Sequence, residues 1–489
     1  MNTIKFFKKI FPKKFLKTFK IQLLLTYAAF VLAGCIPVND ISFMKILSSD
    51  FTKDGIYSVD MDGNNLVLLH QLPVMSYEVP IVTPAKHVPD QDGIAFEEYI
   101  IRTFSEYVAD IKVMAHDGSN IVNLTNGMGD CRLASSPWSS DHSKILLTSR
   151  VYNPSMKTKR DIYTVNADGT SLVNLTQNPN FTDEDPKWSP DNTKIAFKSD
   201  RDGNKEIYVM NADGTNPVNV SNTPDREDVD FFWNQGSNSI VFTSKMNGTS
   251  KVFAVKDDGT MRIDFSFGST NSNESNPQTS FFDRYIAFIS DRDGNDEIYV
   301  YSTYEGTVTN VSNNPGKDQL PQWIPPYYEE PWDDVLSFVS ERDGVQNIYS
   351  VNPNGTNLVK LSGSTGSEEI INFTWTPTGH KIAYYLKEMD LNNNYIYKTF
   401  ISKLDGSENR DITPQGLSFT SIKNIEWYGD VKLLVVGATE GTQYYPTDSG
   451  FGFRSYDYDI YAIDMEDFST INLNANDPDK NYVDVNPKF

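Results

Sequence analysis

Tryptophan recurs at nearly constant spacing through this chain of 489 residues. Six of the seven tryptophans follow one another at intervals of 50, 45, 90, 52 and 52 residues: Trp138, Trp188, Trp233, Trp323, Trp375 and Trp427. Phe281 lies near the middle of the 90-residue interval, and we assign it the place of a missing tryptophan. Such a period is typical of folds that repeat one supersecondary unit, so we expect a repeat protein.

Each repeat has the pattern of four short strands. In one example, Trp188 is followed by an apolar run at residues 194–197, a run that begins Ile207-Tyr208, and an Asp213-Gly214 turn. Asp-Gly supplies the positive φ that a tight hairpin needs between strands three and four. Related turns recur along the chain: Asp62-Gly63, Asp117-Gly118, Asp168-Gly169, Asp258-Gly259, Glu305-Gly306, Asn354-Gly355 and Asp405-Gly406. Four strands in each unit of this length predict the blade of a β-propeller.

The two ends of the chain predict how the ring closes. The stretch that begins at Phe43 has only the last three strands of a unit, and residues 477–489 resemble a lead-in and first strand. We therefore expect an all-β fold over residues 43–489, a single β-propeller of eight to nine four-stranded blades closed by the C-terminal strand. Nine repeats can be counted, and the alternative is eight blades with residues 79–125 as an insertion.

The first 34 residues differ from the rest in composition. They contain seven lysines and no acid, and a largely apolar run covers residues 21–34. This order is that of a secretory signal peptide. The motif Leu32-Ala33-Gly34-Cys35 resembles a bacterial lipobox, which implies acylation of Cys35 and a short tether at residues 35–42. An uncleaved anchor helix is the alternative, and both readings place the remainder outside the cytoplasm because the lysine-rich end stays inside.

The repeats resemble those of a known family. The text Trp188-Ser-Pro-Asp-Asn-Thr-Lys-Ile-Ala-Phe-Lys-Ser-Asp-Arg-Asp-Gly203, with the Ile207-Tyr208 and Asp213-Gly214-Thr215 that follow, is similar to the WD-like repeat of TolB-type β-propellers. The resemblance covers essentially residues 43–489 and implies a propeller that binds a protein or peptide segment in the cell envelope. By the lipoprotein sorting pattern, Ile36 after the cysteine favours the outer membrane, with the chain facing the periplasm or the cell surface.

Charge and composition exclude several classes of protein. The chain has 43 Lys and Arg against 65 Asp and Glu, a formal net charge of −22, which argues against a nucleic-acid-binding surface. Its two cysteines exclude a disulfide scaffold and a cysteine-rich zinc site, and we expect Cys131 to be a buried, unpaired thiol.

Carboxylates recur where the first strand of each unit begins. In a propeller these positions lie near the central channel, on the face that also holds the turns between strands two and three. We expect them to focus negative potential there and to attract a cationic segment or Ca²⁺. The alternative is that they are solvated turn residues. The candidate ligand-binding residues are Glu184, Asp185, Glu227, Asp228, Glu274, Asp318 and Glu369.

Two further features on this face are candidates for binding. Residues 441–457 form a long loop that contains four aromatic candidates for partner contacts: Tyr444, Tyr445, Phe451 and Phe453. Either they form a recognition surface or they fold down over the blade edge. The Ser-Asp-Arg-Asp-Gly turns at 199–203 and 290–294 partly resemble Ca²⁺ loops, but we favour hairpin turns whose Asp side chains bond the local backbone.

No catalytic motif stands out in the sequence. It has no Gly-x-Ser-x-Gly elbow, His-Glu-x-x-His, phosphate-binding loop or dinucleotide fingerprint, and its five histidines are scattered: His70, His87, His116, His142 and His380. We predict a lipid-anchored envelope scaffold for a protein or peptide, not an enzyme, with no cofactor and no metal. The alternative is a carbohydrate-active propeller, a polysaccharide lyase or hydrolase, that uses channel carboxylates.

Overall fold

The computed structural model describes the chain from residue 40 to residue 485 in part. It covers 40–45, 55–60, 67–71, 86–87, 94–103, 106–115, 118–473 and 483–485, and within 118–473 it omits residues 151–158, 179, 235, 237, 270, 327–333, 365, 367, 440–442, 447–451 and 456–458. All regular elements in these ranges are β-strands. Among the described residues, no helix has the length and apolarity needed to cross a membrane.

The strands of the N-terminal half group into units of four. The first unit begins with β1 (Asp40–Lys45), β2 (Gly55–Asp60) and β3 (Val67–Gln71). The second contains β4 (Lys86–His87), β5 (Ile94–Thr103), β6 (Glu106–Met114) and β7 (Val122–Asn123). The third contains β8 (Asp130–Trp138), β9 (Lys144–Arg150), β10 (Asp161–Asn166) and β11 (Val173–Asn174). The fourth contains β12 (Asp183–Trp188), β13 (Lys194–Ser199), β14 (Glu206–Asn211) and β15 (Val218–Asn219).

The C-terminal half continues the same pattern. The fifth unit contains β16 (Glu227–Trp233), β17 (Ser239–Met246), β18 (Thr249–Lys256) and β19 (Ile263–Asp264). The sixth contains β20 (Glu274–Thr279), β21 (Tyr285–Ser290), β22 (Glu297–Ser302) and β23 (Val308–Asn310). The seventh contains β24 (Asp318–Trp323), β25 (Leu336–Ser340), β26 (Asn347–Val351) and β27 (Val359–Lys360). The eighth contains β28 (Glu369–Trp375), β29 (Lys381–Met389), β30 (Tyr395–Lys403) and β31 (Arg410–Asp411).

The last unit carries an inserted hairpin. It contains β32 (Ser421–Tyr428), β33 (Lys432–Ala438), β36 (Asp459–Asp464) and β37 (Thr470–Asn472), with β34 (Gln443–Pro446) and β35 (Gly452–Ser455) paired separately between β33 and β36. The final strand, β38 (Val483–Val485), joins the first unit. Within each unit, neighbouring strands are antiparallel and follow chain order, except where β38 supplies the first strand.

The pairing of the two chain ends confirms the predicted closing strand. β38 pairs with β1, with Phe43 opposite Val485, so both ends of the described chain share one four-stranded sheet. β1 starts at Asp40, three residues before the predicted start of the propeller, because Asp40 extends the β1–β2 ladder opposite Asp60. The stretch 79–125 supplies the four paired strands β4 to β7. Units two and three share one eight-stranded sheet, because β6 also pairs in parallel with β8, with Ala109 opposite Asp130. The described strands form nine units of an all-β propeller.

The recurring tryptophan ties units four, five, seven and nine to the unit before them. The indole N–H of Trp188 donates to the carbonyl of Pro137 at 3.2 Å, and that of Trp233 donates to the carbonyl of Lys187 at 3.0 Å. Equivalent bonds join Trp323 to Gln278 and Trp427 to Thr374. In each case the acceptor lies in the first strand of the preceding unit, so a periodic tryptophan marks a contact between neighbouring blades.

The assignment of Phe281 to the tryptophan position was wrong. Thr279 pairs with Ile286 of the next strand, as Trp188 pairs with Ile195 in unit four, so Thr279 holds the equivalent place. Phe281 lies two residues further on, in the turn, and is 44% exposed. The spacing alone could not distinguish the two because strand register depends on the pairing of neighbouring strands.

The interblade bond leads to a stability prediction. Trp233 packs between units four and five with Val209 and Phe242, and it is 5% exposed. Trp233→Phe keeps an aromatic ring but removes the donor to the Lys187 carbonyl, so we expect the free energy of unfolding to fall by about 1–3 kcal/mol. Urea unfolding followed by circular dichroism measures it. Val431→Ala, at a 60% exposed position, is the control, and an equal loss in both variants would contradict the assignment.

Candidate binding face

One end of each unit brings three chain segments together. Asp183 at the start of β12 pairs with Ser199 at the end of β13, and Ser199 pairs with Glu206 at the start of β14. The first strand therefore begins beside the turn between the second and third strands. We call this end of the units the first face, and the opposite end the second face. All seven candidate carboxylates lie on the first face.

Three of those seven carboxylates are buried. Asp228 is 1% exposed, and Glu274 and Asp318 are 0% exposed. Glu274 forms ion pairs with Lys251 at 2.9 Å and with Arg292 at 3.5 Å, and Asp318 lies 3.9 Å from Arg342. These side chains do not face solvent, so the expectation that they contact a ligand is corrected: Glu274 and Asp318 instead face the arginine of the turn beside them.

The Arg of the Ser-x-Arg-Asp-Gly turn explains how these acids are buried. The Arg292 guanidinium lies 4.4 Å from the centre of the Tyr299 ring and donates through Nε to Ser290 at 2.9 Å. Asp293 accepts the hydroxyl of Tyr299. The same contacts recur in units four and seven, with Arg201, Asp202 and Tyr208, and with Arg342, Asp343 and Tyr349. The second Asp of each turn is thus bonded to a tyrosine of the third strand, not only to local backbone.

The metal hypothesis receives no support from the part of the chain that the structure describes. That part has no group of three or more His, Cys, Asp or Glu side chains arranged to hold a metal ion.

The turn tyrosines remain hydrogen-bond donors. Burial is the largest cause that raises the pKa of Tyr208 and Tyr299 above the usual range, and the hydrogen bond to the neighbouring aspartate is the second, so both phenols stay protonated. His142 and His380 lie in turns of units three and eight, His70 and His87 lie in units one and two, and His116 is outside the described residues.

Asp228 is the exception among the buried acids. The corresponding turn of unit five reads Lys245-Met246-Asn247-Gly248 and has no arginine. Asp228 accepts a hydrogen bond from the Thr223 hydroxyl at 3.0 Å. Burial raises its pKa to about 6, and the nearby Glu206 adds to the shift. This carboxyl is therefore poised to bind a proton at mildly acidic pH.

The other four candidate carboxylates are accessible and have basic neighbours. Asp185 lies 3.3 Å from Lys198, and Glu369 lies 3.6 Å from Lys387. Glu184 pairs with the side chain of Lys205, and Glu227 accepts its backbone N–H at 3.0 Å. Lys198 and Lys387 lie in second strands, and Lys205 lies in the turn that follows one. The pairing of the first and second strands brings these lysines beside the carboxylates. The first face is thus of mixed charge at these positions, where the sequence predicted carboxylates that focus negative potential.

The first strands share an irregularity that sequence reasoning missed. Register shifts occur in six consecutive units, after Glu184, Asp228, Ser275, Gln319, Ile370 and Ile422. Positive φ accompanies the shift at Asp185, Asn276 and Leu320. In these units no other described strand pairs with the free edge of the first strand. A bulge leaves backbone groups unpaired, so these first strands keep a free edge on which only side chains of neighbouring residues and units bond some of the carbonyls.

The aromatic loop forms a hairpin. β34 and β35 pair with Tyr445 opposite Phe453 and Tyr444 opposite Arg454. Three of the four aromatic candidates are thus in one two-stranded ribbon inserted into unit nine, and Phe451 lies outside the described residues.

Of the two cysteines, Cys35 lies outside the described residues. Cys131 is 0% exposed, and its Sγ lies 3.4 Å from the Ser149 hydroxyl, so the prediction of a buried thiol is confirmed. Burial raises its pKa.

Four-stranded units, a shared first-strand position and tryptophan contacts between neighbours define a β-propeller. Residues 41–227 match the family model described as the TolB beta propeller domain, so this part of the chain resembles TolB-type β-propellers. The predicted resemblance is confirmed. Among curated proteins, none matches this chain.

Several solved structures match this chain at low sequence identity and with TM-scores under 0.5. TolB from Acinetobacter baumannii is 15% identical over 64% of this chain and 78% of its own, with a TM-score of 0.30. An oligogalacturonate lyase from Vibrio parahaemolyticus is 13% identical over 67% and 85%, with a TM-score of 0.40. A prolyl endopeptidase is 11% identical over 84% of this chain, with a TM-score of 0.45, and the chain spans 50% of its length.

Proposed function

We propose that this chain is a lipid-anchored propeller of the bacterial cell envelope that holds a protein or peptide segment at the first face of its channel. The observation that carries the proposal is the run of first strands in units four to nine, each with a register shift near its start and an edge that no described strand pairs. An unpaired strand edge is a template for the backbone of another chain.

The side chains around this edge define the partner's chemistry. Glu184 and Glu227 flank Lys205, and Asp185 lies beside Lys198. A segment that carries both positive and negative side chains can bind these carboxylates with its basic groups and these lysines with its acidic groups. No charge is then left without a counter-charge. Because the pairs are partly exposed, each contributes little to stability, and releasing one for a ligand costs little free energy.

Anchoring at Cys35 is part of the proposal. Acylation would tether the chain to a membrane close to Asp40, which lies at the second-face end of β1, and the outer membrane is the proposed location. Growth of the producing cells with a radiolabelled or alkyne-tagged fatty acid tests the anchor, since Cys35→Ser should abolish labelling while Cys131→Ser should leave it intact.

The carbohydrate-active alternative has less support. Glycosidic chemistry needs two accessible carboxyl groups with different proton affinities. Asp228, Glu274 and Asp318 are buried, and the accessible carboxylates contact lysine side chains or backbone N–H groups. We therefore propose a binding protein and not an enzyme.

Removal of the accessible charges tests the binding proposal. A variant with Glu184→Gln, Asp185→Asn, Glu227→Gln and Glu369→Gln should lose at least tenfold in capture of a partner by in-cell crosslinking. The full-length protein is used, and mass spectrometry identifies the captured proteins. The unpaired strand edge is unchanged, so residual capture is expected.

A control variant removes the same number of charges elsewhere. Asp213→Asn, Glu305→Gln, Glu408→Gln and Glu466→Gln alter exposed turn positions on the second face. Capture should match that of the native protein. Equal loss in both variants would point to non-specific charge effects, and no loss in the first variant would sink the proposal.

A further inference from the structure

Unit six departs from the repeat at its second face. In unit four, the turn from first to second strand reads Ser189-Pro190-Asp191, and in unit six it reads Ser280-Phe281-Phe282. The two turns have the same backbone form, because Asn192 and Asp283 both have positive φ, 58° and 54°. Phe281 and Phe282 are 44% and 40% exposed. Turn geometry is therefore kept while two large apolar side chains are placed in solvent.

A cleft lies beside this turn, between the first strands of units six and seven. Its volume is about 390 Å³, within the usual range of small-molecule sites. The residues that line it include Asn276, Gln278, Thr279, Phe281, Gln322 and Trp323. None of its lining residues is charged, in a chain with 65 acidic residues. A charged ligand would find no counter-charge in this cleft.

The walls of the cleft combine a fixed aromatic side with amide groups. Trp323 donates its indole N–H to the Gln278 carbonyl at 3.0 Å and stacks on Tyr285 with ring centres 6.0 Å apart. The Gln322 amide donates to the Phe373 carbonyl at 3.2 Å, and that of Gln278 donates to Asn276 at 3.4 Å. Within the described residues, nothing donates to the side-chain oxygen of either glutamine. Two oriented acceptors thus remain for a ligand.

We propose that this cleft binds a neutral saccharide ring. A sugar ring presents hydroxyl groups, which suit amide acceptors and donors, and apolar C–H faces, which suit an aromatic side chain such as Phe281. The site is distinct from the first face, so it adds a second ligand to the proposed function. A protein partner that docks on the two phenylalanines is the competing explanation, and the experiment separates the two.

The test uses the full-length protein and defined probes. Maltotriose, cellotriose and chitotriose are titrated by isothermal calorimetry, with the acidic trigalacturonate as a charged comparison. At least one neutral trisaccharide should bind, and trigalacturonate should bind at least tenfold more weakly than that probe. Absence of binding by all neutral probes at millimolar concentration, or preference for the acidic probe, overturns the proposal.

Two variants locate the binding site. Phe281→Pro with Phe282→Asp installs the residues that unit four already uses in the same turn, so the fold should be kept. Gln278→Ala removes one acceptor. Each should weaken binding at least tenfold with an unchanged circular dichroism spectrum. Tyr395→Ser, at a 54% exposed aromatic on the first face, should bind as the native protein does. Unchanged affinity in the first two variants places the sugar elsewhere and overturns the assignment.

Discussion

Glu274→Gln is expected to lower the free energy of unfolding by about 3–5 kcal/mol at pH 7, the usual cost of breaking a buried ion pair. Glu274 is 0% exposed and lies 2.9 Å from Lys251, which is itself 4% exposed. It also faces Arg292 at 3.5 Å. Loss of the carboxylate leaves a buried ammonium group without a counter-charge, and the lysine must lose its proton or the site must open to water.

Urea unfolding of the native protein and the variant measures this effect. Glu227→Gln is the matched control, since Glu227 begins the first strand of the preceding unit but is exposed, and it should change stability by less than about 0.5 kcal/mol. Adding Lys251→Met to Glu274→Gln should recover part of the loss. A loss below about 1 kcal/mol in the single variant would contradict the ion-pair description.

Asp228→Asn should have the opposite effect, raising stability at neutral pH. Burial raises the pKa of Asp228 to about 6 in the folded protein, whereas an unfolded aspartate titrates near 4. Between these values the folded state binds more protons than the unfolded state, so this group makes the free energy of unfolding fall as pH rises from about 4 to 6. Above pH 6 the cost stays constant at roughly 3 kcal/mol at most.

Asparagine retains an oxygen that can accept from the Thr223 hydroxyl and carries no charge. The variant should therefore be more stable than the native protein at pH 7.5 and equal to it at pH 4, measured by urea unfolding at both values. Asp183→Asn is the control, because Asp183 contacts Arg201 at 2.9 Å and its loss should destabilise the protein at pH 7.5. A difference between Asp228→Asn and the native protein that does not vary with pH would refute the assignment.

These opposite outcomes arise at positions that look alike in the sequence. Asp228 and Glu274 lie at equivalent places, opposite Ser244 and Ser290 of the second strand, and both were expected to face a channel. What separates them is the partner: Glu274 has a lysine from unit five and an arginine from its own turn, and Asp228 has neither within ion-pair distance among the described residues. A local pattern shows where an acid lies in a strand, but not which cation reaches it from the neighbouring blade.

The accessible carboxylates illustrate the same limit. Glu184 stands opposite Lys198 across the β12–β13 ladder, and Glu369 stands opposite Lys387 across β28–β29. The sequence pattern of acids predicted negative potential because it does not show that Lys198 and Lys387, 14 and 18 residues further along the chain, lie beside Glu184 and Glu369. A one-residue change of register would move those lysines to the other face of the sheet. The charge of the channel rim is therefore a property of the assembled sheet.

Local sequence signals were enough to predict the four-stranded unit and the order of the units along the chain. Periodic tryptophan, Asp-Gly turns and alternating apolar runs are local signals, so they indicate four-stranded blades and even the sharing of one blade by β1 and β38. The tertiary structure was needed to show that Thr279, not Phe281, holds the tryptophan position, that Asp228 has no cation within ion-pair distance among the described residues, and that an uncharged cleft lies between units six and seven. Each of these depends on which strands lie side by side, and packing between blades sets distances that no single segment of chain encodes.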